Sequence, residues 1–246
     1  MAMHTRLIRI VLPVLLVAGL LVLSGCIIGG TTTITGSGHV KSEKRTVSSF
    51  KQITLSGVGR LTITQGNTDA LTVKADANLL PYLTSSVSGT TLDLGVKSGV
   101  SVQSTDPIAF LVTVTQLQGV TLSGSGDIQV TNLSGPSLTV TLSGSGDVVL
   151  NQVRVPSLTA TLSGSGSIQA TGSAQSQDIT ISGSGDFNGS GFATKTAKVA
   201  IDGSGSVTVQ VSDALSATVT GSGDVSYIGS PKVTQHVTGS GSVSQH

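Results

Sequence analysis

Four aspartates that share one position of a repeated motif are the side chains of this sequence best suited to bind a ligand. The motif is Ser-Gly-Ser-Gly-Asp, with Asp127, Asp147 and Asp186, and the weaker copy Thr-Gly-Ser-Gly-Asp contains Asp224. In the other copies the same position holds a serine, at Ser167, Ser206 and Ser242. Because hard cations prefer carboxylate and hydroxyl oxygens, a row of Ca²⁺ ligands is one interpretation.

The same pattern has a structural interpretation, which we favour. Asp, Ser and Gly are typical of bends, and a serine between two aspartates separates like charges that would repel when stacked. The similar Gly-Gly-x-Gly-x-Asp motif of calcium-binding β-rolls has a period of nine residues, whereas these copies are about twenty residues apart. We therefore assign no metal and no cofactor, and Ca²⁺ binding remains an alternative.

Threonines form a second candidate interaction face together with the aspartates. They alternate with branched apolar residues, at Thr139, Thr141, Thr159 and Thr161. An exposed ladder of Thr, Ser and Asp could bind a cell-surface polysaccharide or a protein. Threonine is also favourable in any β-strand, and aromatic residues, which usually form the platforms of sugar-binding sites, are only 2% of the chain.

Residues that could perform catalysis are scarce. His39 and His236 stand alone, His4 lies near the start and His246 is the last residue. No serine lies in a Gly-x-Ser-x-Gly elbow with an evident base, and the repeat aspartates occur singly. We therefore predict a protein that is not an enzyme, and a carbohydrate-active enzyme is the weaker alternative.

The first residues are typical of an exported lipoprotein. A basic start with Arg6 and Arg9 precedes an apolar run, Ile10 to Leu23, which is short for a membrane-spanning helix and ends in small residues. Leu23-Ser-Gly-Cys26 is similar to a lipobox, and Cys26 is the only cysteine of the chain. We predict a signal peptide at 1–25, then a lipidated Cys26 and a flexible tether at 26–44.

The rest of the chain repeats itself with strand-like alternation. Leu122-Ser-Gly-Ser-Gly-Asp-Ile128 returns six times up to Val237–Val243, and a decayed copy is Leu55-Ser-Gly-Val-Gly-Arg-Leu61. Units of about twenty residues indicate a solenoid, and the period of two indicates β-strands with one buried face. We predict a parallel β-helix with coils of about 18–21 residues, in which the glycine columns mark corners.

The charge balance argues against a nucleic-acid partner. The chain has 13 basic and 12 acidic residues, and removal of Arg6 and Arg9 with the leader would leave 11 basic residues. A nearly neutral chain lacks the basic patch that nucleic-acid binding requires. The predicted partners are a membrane, through the lipid, a surface polysaccharide or protein, and further copies through exposed solenoid ends.

Two segments ahead of the repeats resemble a known bacterial family. Phe50-Lys-Gln-Ile-Thr-Leu-Ser-Gly-Val-Gly-Arg-Leu-Thr-Ile-Thr-Gln-Gly66 and Asn78-Leu-Leu-Pro-Tyr82, together with the later repeats, are similar to the "putative auto-transporter adhesin, head GIN domain" family. The resemblance covers roughly residues 45–230. It implies a right-handed, single-stranded β-helix, usually exported and often lipid-anchored, and it supplies no catalytic residues.

We therefore expect an all-β head GIN-like domain at 45–246, held on the cell membrane or the outer membrane and facing away from the cytoplasm. Its expected role is that of a structural or adhesion-like module. The alternative is a module that binds Ca²⁺ or polysaccharide.

Overall fold

The structure, a computed structural model, describes residues 31–246, which form one compact unit. The predicted signal peptide at 1–25 and the predicted lipidation site Cys26 lie outside the described residues. Within residues 31–246, no helix has both the length and the apolar character needed to cross a bilayer.

The described chain is almost entirely β-strand, as predicted. One short 3-10 helix, Leu80–Tyr82, lies between β5 and β6. The first nine strands are β1 (Thr32–Thr35), β2 (Val40–Arg45), β3 (Gln52–Gly57), β4 (Arg60–Gln65), β5 (Ala70–Asp76), β6 (Leu83–Ser88), β7 (Thr91–Val96), β8 (Val100–Gln103) and β9 (Ala109–Val114).

The remaining strands carry the repeats. They are β10 (Gly119–Gly124), β11 (Asp127–Thr131), β12 (Leu138–Gly144), β13 (Asp147–Arg154), β14 (Ser157–Gly164), β15 (Ser167–Ser173), β16 (Ser176–Gly183), β17 (Asp186–Gly203), β18 (Ser206–Gly221), β19 (Asp224–Ile228), β20 (Lys232–Gly239) and β21 (Ser242–Gln245).

Parallel pairing stacks these strands, coil upon coil, into two walls. Wall A follows the order β7, β3, β10, β12, β14, β16, the second half of β17, the second half of β18, and β20. Wall B follows the order β9, β4, β11, β13, β15, the first half of β17, the first half of β18, β19 and β21. This architecture confirms the predicted parallel β-solenoid.

The alternation of the sequence explains why each coil closes on its neighbour. In β12, Leu138, Val140 and Leu142 are buried, and they stack in register on Leu158, Ala160 and Leu162 of β14. Each fully buried Leu or Val contributes about 1.5–3 kcal/mol relative to exposure. A thin aliphatic core of this kind is held together by repetition, because each coil contacts mainly its two neighbours.

The two glycines of each Gly-Ser-Gly form the corner between wall A and wall B, as predicted. Gly144 adopts a φ of 145°, and a Cβ at this position would lie 2.1 Å from the carbonyl oxygen of Gly124 in the preceding coil. A Cβ on Gly146 would lie 1.9 Å from the carbonyl oxygen of Gly126. The corner therefore requires glycine at both positions, since the backbones of adjacent coils approach too closely for a side chain.

The order of the first coils in space differs from their order in sequence. The decayed repeat in β3 and β4 pairs in register with β10 and β11, as its sequence predicts. Strands β7 and β9, which come later in the chain, stack on the opposite side of β3 and β4. Antiparallel strands then continue this end, because β6 pairs with β7, β5 with β9, and β2 with β5.

The folded domain begins earlier than predicted, since its first strand, β1, starts at Thr32. Residues 31–44 were predicted to belong to a flexible tether, and the domain was predicted to begin at residue 45. Instead, β1 pairs in parallel with β8, and β2 pairs antiparallel with β5. Both strands lie ahead of the first full repeat, and each is held by a partner strand that is distant in the sequence.

Candidate interaction surface

The outward side chains of wall A form a regular array of hydroxyl groups, which we call the hydroxyl face. Its first column runs through five consecutive coils as Thr54, Thr121, Thr141, Thr161 and Thr180. Its second column is equally in register, as Ser56, Ser123, Ser143, Ser163 and Ser182. Thr139 and Thr159 begin a third column on the other side of the threonines.

Strand geometry gives the hydroxyl face a fixed lattice. Neighbouring coils lie about 4.8 Å apart, and side chains two residues apart along a strand are about 6.6 Å apart. A hydroxyl group donates one hydrogen bond and accepts two, so every lattice point can pair with water or with the hydroxyl of a sugar. The predicted face residues Thr139, Thr141, Thr159 and Thr161 are thus brought together on one surface.

Charged residues interrupt the hydroxyl face toward the later coils. The column that begins with Thr139 and Thr159 continues as Asp178, Lys198 and Ser216. Lys198 Nζ lies 3.8 Å from Asp178 Oδ2, and both side chains are largely exposed. A shallow groove of about 560 Å³ follows this column and is also lined by Lys232.

The repeat aspartates lie on wall B, beside the glycine corner, where they form one column with the serines. Starting from Arg60 in β4, the column is Asp127, Asp147, Ser167, Asp186, Ser206, Asp224 and Ser242. We call these residues the aspartate ladder. The ladder and the threonines of the hydroxyl face therefore lie on different walls, separated by the corner.

Hydrogen bonds between coils occupy three of the four carboxylates. Ser167 Oγ donates to Asp147 Oδ1 at 2.6 Å. The backbone N–H of Ser206 donates to Asp186 Oδ1 at 2.9 Å. Each aspartate thus accepts a hydrogen bond from the serine of the next coil, which gives the alternation of Asp and Ser a structural purpose.

The fourth carboxylate, Asp127, has a different partner. Its Oδ2 lies 3.6 Å from a guanidinium nitrogen of Arg60, in an exposed ion pair. Asp147 follows directly in register, so two carboxylates are neighbours here without a serine between them. Arg60 occupies the aspartate position of the decayed repeat, and its positive charge offsets this repulsion.

The described residues contain no cluster of three His, Cys, Asp or Glu side chains that could hold a metal ion. Within the same part of the chain, His39 contacts the carbonyl of Ser37 and His236 contacts Thr238, in elements far apart in the fold. Calcium binding by the aspartate ladder stays a prediction. The arrangement that the structure does show is one of paired, outward-facing polar columns.

Sequence reasoning missed three polar residues with unusual surroundings. From the sequence, no role was assigned to Arg60, although aligning the decayed repeat with the other copies places it opposite Asp127. Asp76 and Gln177 are fully buried, and each has one side-chain oxygen with no hydrogen-bond partner within residues 31–246. Gln177 takes a position where the two neighbouring coils have Leu158 and Ala197, so the exception was visible in the sequence.

Comparison with known proteins identifies the same family that the sequence resembles. A family profile described as "Putative auto-transporter adhesin, head GIN domain" matches residues 49–231. No curated protein matches the chain.

Solved structures share the fold along their whole length. A putative adhesin from Bacteroides fragilis is 21% identical, with a TM-score of 0.78, over 87% of this chain and 100% of its own. A putative adhesin from Parabacteroides merdae is 26% identical, with a TM-score of 0.70, over 87% of this chain and 99% of its own. A putative lipid binding protein from Parabacteroides distasonis is 24% identical, with a TM-score of 0.73 and the same coverage as the first.

Proposed function

Because the chain belongs to the putative auto-transporter adhesin, head GIN domain family, we propose that it is a non-catalytic adhesion module that acts outside the cytoplasm. The family and two of the three solved structures described above are named for adhesion, the third is named for lipid binding, and none is named for a reaction. The hydroxyl face is the observation that points to the mode of binding. It offers many equivalent hydrogen-bonding groups on a rigid support and carries little charge.

A surface polysaccharide is the partner that fits this face. A polysaccharide presents hydroxyl groups at regular intervals, and the five-coil columns of Thr and Ser present hydroxyl groups at regular intervals in return. Each contact exchanges a hydrogen bond with water for one with the sugar, so the net gain per contact is only about 0.5–1.5 kcal/mol. Affinity would therefore come from many weak contacts made at once.

Attachment to a membrane completes the proposal. Lipidation of Cys26 would place several acyl chains at the start of the mature protein, and each buried CH₂ adds about 0.8 kcal/mol of membrane affinity. Expression in a bacterial host with a labelled fatty acid tests this step. We expect the label on the wild-type protein and none on Cys26→Ser, and label retained by Cys26→Ser would overturn the anchor.

The test of adhesion uses residues 31–246, which form one compact unit, and the solved relatives match this chain over 99–100% of their own length. Binding to intact cells, purified wall and exopolysaccharide is measured for the wild type and two variants. Thr141→Lys with Thr161→Lys disturbs the hydroxyl face. Gln129→Lys with Gln169→Lys adds the same charge on exposed positions of wall B.

Saturable binding that is lost in the hydroxyl-face variant and kept in the wall B variant would support the proposal. Binding that survives the hydroxyl-face variant would place the site elsewhere on the molecule. If the wild type binds to no cell, wall or polysaccharide, the adhesive function is wrong.

A further inference from the structure

We propose that the carboxylate of Asp76 binds a hard divalent cation, such as Ca²⁺, that fastens the first residues of the domain to the solenoid. This site is separate from the aspartate ladder and from the hydroxyl face. It lies where the chain enters the domain, at the end of β5.

Asp76 is a buried carboxylate, and only one of its two oxygens accepts a hydrogen bond from residues 31–246. Its side chain is 0% exposed, and its Oδ1 has no hydrogen-bond partner among residues 31–246. None of the three ion pairs formed within these residues includes Asp76. Burying a carboxylate is costly unless a positive charge and hydrogen bonds compensate it, so a missing positive partner is the simplest explanation.

The other oxygen of Asp76 accepts two hydrogen bonds from the loop that follows β8. Its Oδ2 accepts hydrogen bonds from Ser104 Oγ at 3.1 Å and from the backbone N–H of Thr105 at 3.0 Å. Ser104 Oγ also contacts the carbonyl oxygen of Asp106. A hydroxyl group has a single proton to donate, so Ser104 cannot satisfy both acceptors, and these oxygens converge without enough protons between them.

Three segments pack together around the Asp76 carboxylate. Besides Asp76 and the loop 104–106, the segment before β2 contributes Gly36, whose carbonyl accepts a hydrogen bond from Thr105 Oγ1 at 3.5 Å. Gly36 packs so closely that a Cβ there would lie 2.0 Å from Asp76 Oδ2. A carboxylate, a hydroxyl and backbone carbonyls are the donors that Ca²⁺ prefers.

The location gives the cation a mechanical role. Segment 32–39 is held by the pairing of β1 with β8, and Asn78 adds two bonds, donating to the Thr35 carbonyl at 2.8 Å and accepting from the Ser37 N–H at 2.9 Å. A cation bound by Asp76 and the loop 104–106 would lock this segment in place. It would thus stiffen the part of the domain that follows the predicted lipidation site most closely in the sequence.

Thermal unfolding of residues 31–246 in EDTA and in CaCl₂ tests the proposal. A ligand that binds only the folded state stabilises it, and at about 100 times its Kd it should raise the Tm by about 5–10 °C. We expect this shift in the wild type, with a calorimetric stoichiometry of one, and its loss in Asp76→Asn. Amide hydrogen exchange should show slower exchange at 32–39 and 104–106 when calcium is added.

Asp69→Asn is the matched control. Asp69 also accepts a backbone N–H, from Thr115 at 2.7 Å, but it is only partly buried. This variant should keep the calcium shift. A wild-type Tm that is equal in EDTA and CaCl₂, or a calcium shift that Asp76→Asn retains, would overturn the site. If Asp76→Asn does not fold, calorimetry and hydrogen exchange on the wild type decide together: absence of calcium binding, or binding that leaves exchange at 32–39 and 104–106 unchanged, would overturn the proposal.

The adhesion test does not depend on this result. If the wild type binds polysaccharide but its Tm does not respond to calcium, only the cation site is rejected. If its Tm responds to calcium but it binds no polysaccharide, only the adhesive function is rejected.

Discussion

Asp224 accepts two hydrogen bonds from Ser242 of the next coil, one from its backbone N–H at 3.0 Å and one from its hydroxyl group at 2.6 Å. Asp186 repeats the first of these bonds with Ser206, and Asp147 repeats the second with Ser167. The carboxylate therefore acts as a clasp between consecutive coils. From Asp147 onward, the same alternation keeps the negative charges two coils apart.

This clasp predicts that Asp186→Ala destabilises the solenoid, because the backbone N–H of Ser206 loses its charged acceptor. We expect the free energy of unfolding to fall by about 1 kcal/mol, which is below the range of about 1.5–3 kcal/mol for bonds to charged groups because the site is exposed. The measurement is urea denaturation. Asp202→Ala is the control, since Asp202 is an exposed aspartate on wall A with the serine column and makes no side-chain hydrogen bond in the structure. Equal losses in the two variants would contradict the clasp.

The glycine corner predicts a steep cost for any side chain. Gly146→Ala would place its Cβ against the Gly126 carbonyl, and overpacking of this kind costs about 1–3 kcal/mol. Gly144→Ala should cost more, because the positive φ of 145° adds backbone strain. Gly135→Ala is the control, since its nearest neighbour would be 3.9 Å away. Chemical denaturation would rank the three, and a Gly146→Ala protein as stable as Gly135→Ala would refute the close approach.

The repeated part of the fold was predictable because one pattern sets both register and direction. Leu122, Leu142 and Leu162 share a position in the motif, and in-register stacking follows once the motif is aligned with itself. The glycines could be placed at corners for the same reason. The Thr and Asp columns followed directly from the alternation, although their separation onto two walls required the corner to be located.

The end of the solenoid near the start of the chain was not predictable in this way. Strands β7 and β9 stack on β3 and β4 although β5 and β6 intervene in sequence, and no repeat links these segments. The pairing of β1 with β8 joins residues nearly seventy positions apart. These pairings depend on which distant strand packs against the exposed edge of the first coil. The local alternation of apolar and polar residues does not specify that strand.

Arg45 stabilises the end of the solenoid near the start of the chain, by joining β2 to residues 80–85. Its guanidinium donates to the carbonyls of Leu80 and Leu83 at 2.9 and 2.7 Å, and to Ser85 Oγ at 3.2 Å, while only 15% of its side chain is exposed. Arg45→Ala leaves these acceptors without their donor, so we expect a loss of about 2–3 kcal/mol. Arg154→Ala, at an exposed position, should change stability by less than about 0.5 kcal/mol. Thermal unfolding compares the two variants, and similar Tm values for both would contradict a stabilising role of the Arg45 hydrogen bonds.

Among residues 31–246, Gln177 is the one residue with a side-chain amide that is buried in the core. It stacks between Leu158 and Ala197, and its Nε2 donates to Thr194 Oγ1 at 3.0 Å. Thr194 Oγ1 in turn donates to the carbonyl of Gln210 at 3.0 Å. The Oε1 of Gln177 has no partner within residues 31–246, so the amide is only half satisfied.

Gln177→Leu should therefore stabilise the protein. The change removes an unpaired buried oxygen, which costs about 1–3 kcal/mol, and Thr194 keeps its bond to Gln210. A net gain of about 1 kcal/mol corresponds to a rise in Tm of about 2–4 °C for a domain of this size. Thr194→Val should act in the opposite direction, because it leaves both the Gln177 amide and the Gln210 carbonyl unpaired.

A double-mutant cycle separates this pair from its surroundings. If the Gln177–Thr194 bond is the only coupling between the two positions, Gln177→Leu in the Thr194→Val background should gain more than in the wild type, since the orphaned Nε2 is removed as well. A Gln177→Leu protein that melts below the wild type would show instead that Oε1 is satisfied in solution. A buried water is the group that could satisfy it, because such waters bridge buried polar atoms that lack protein partners.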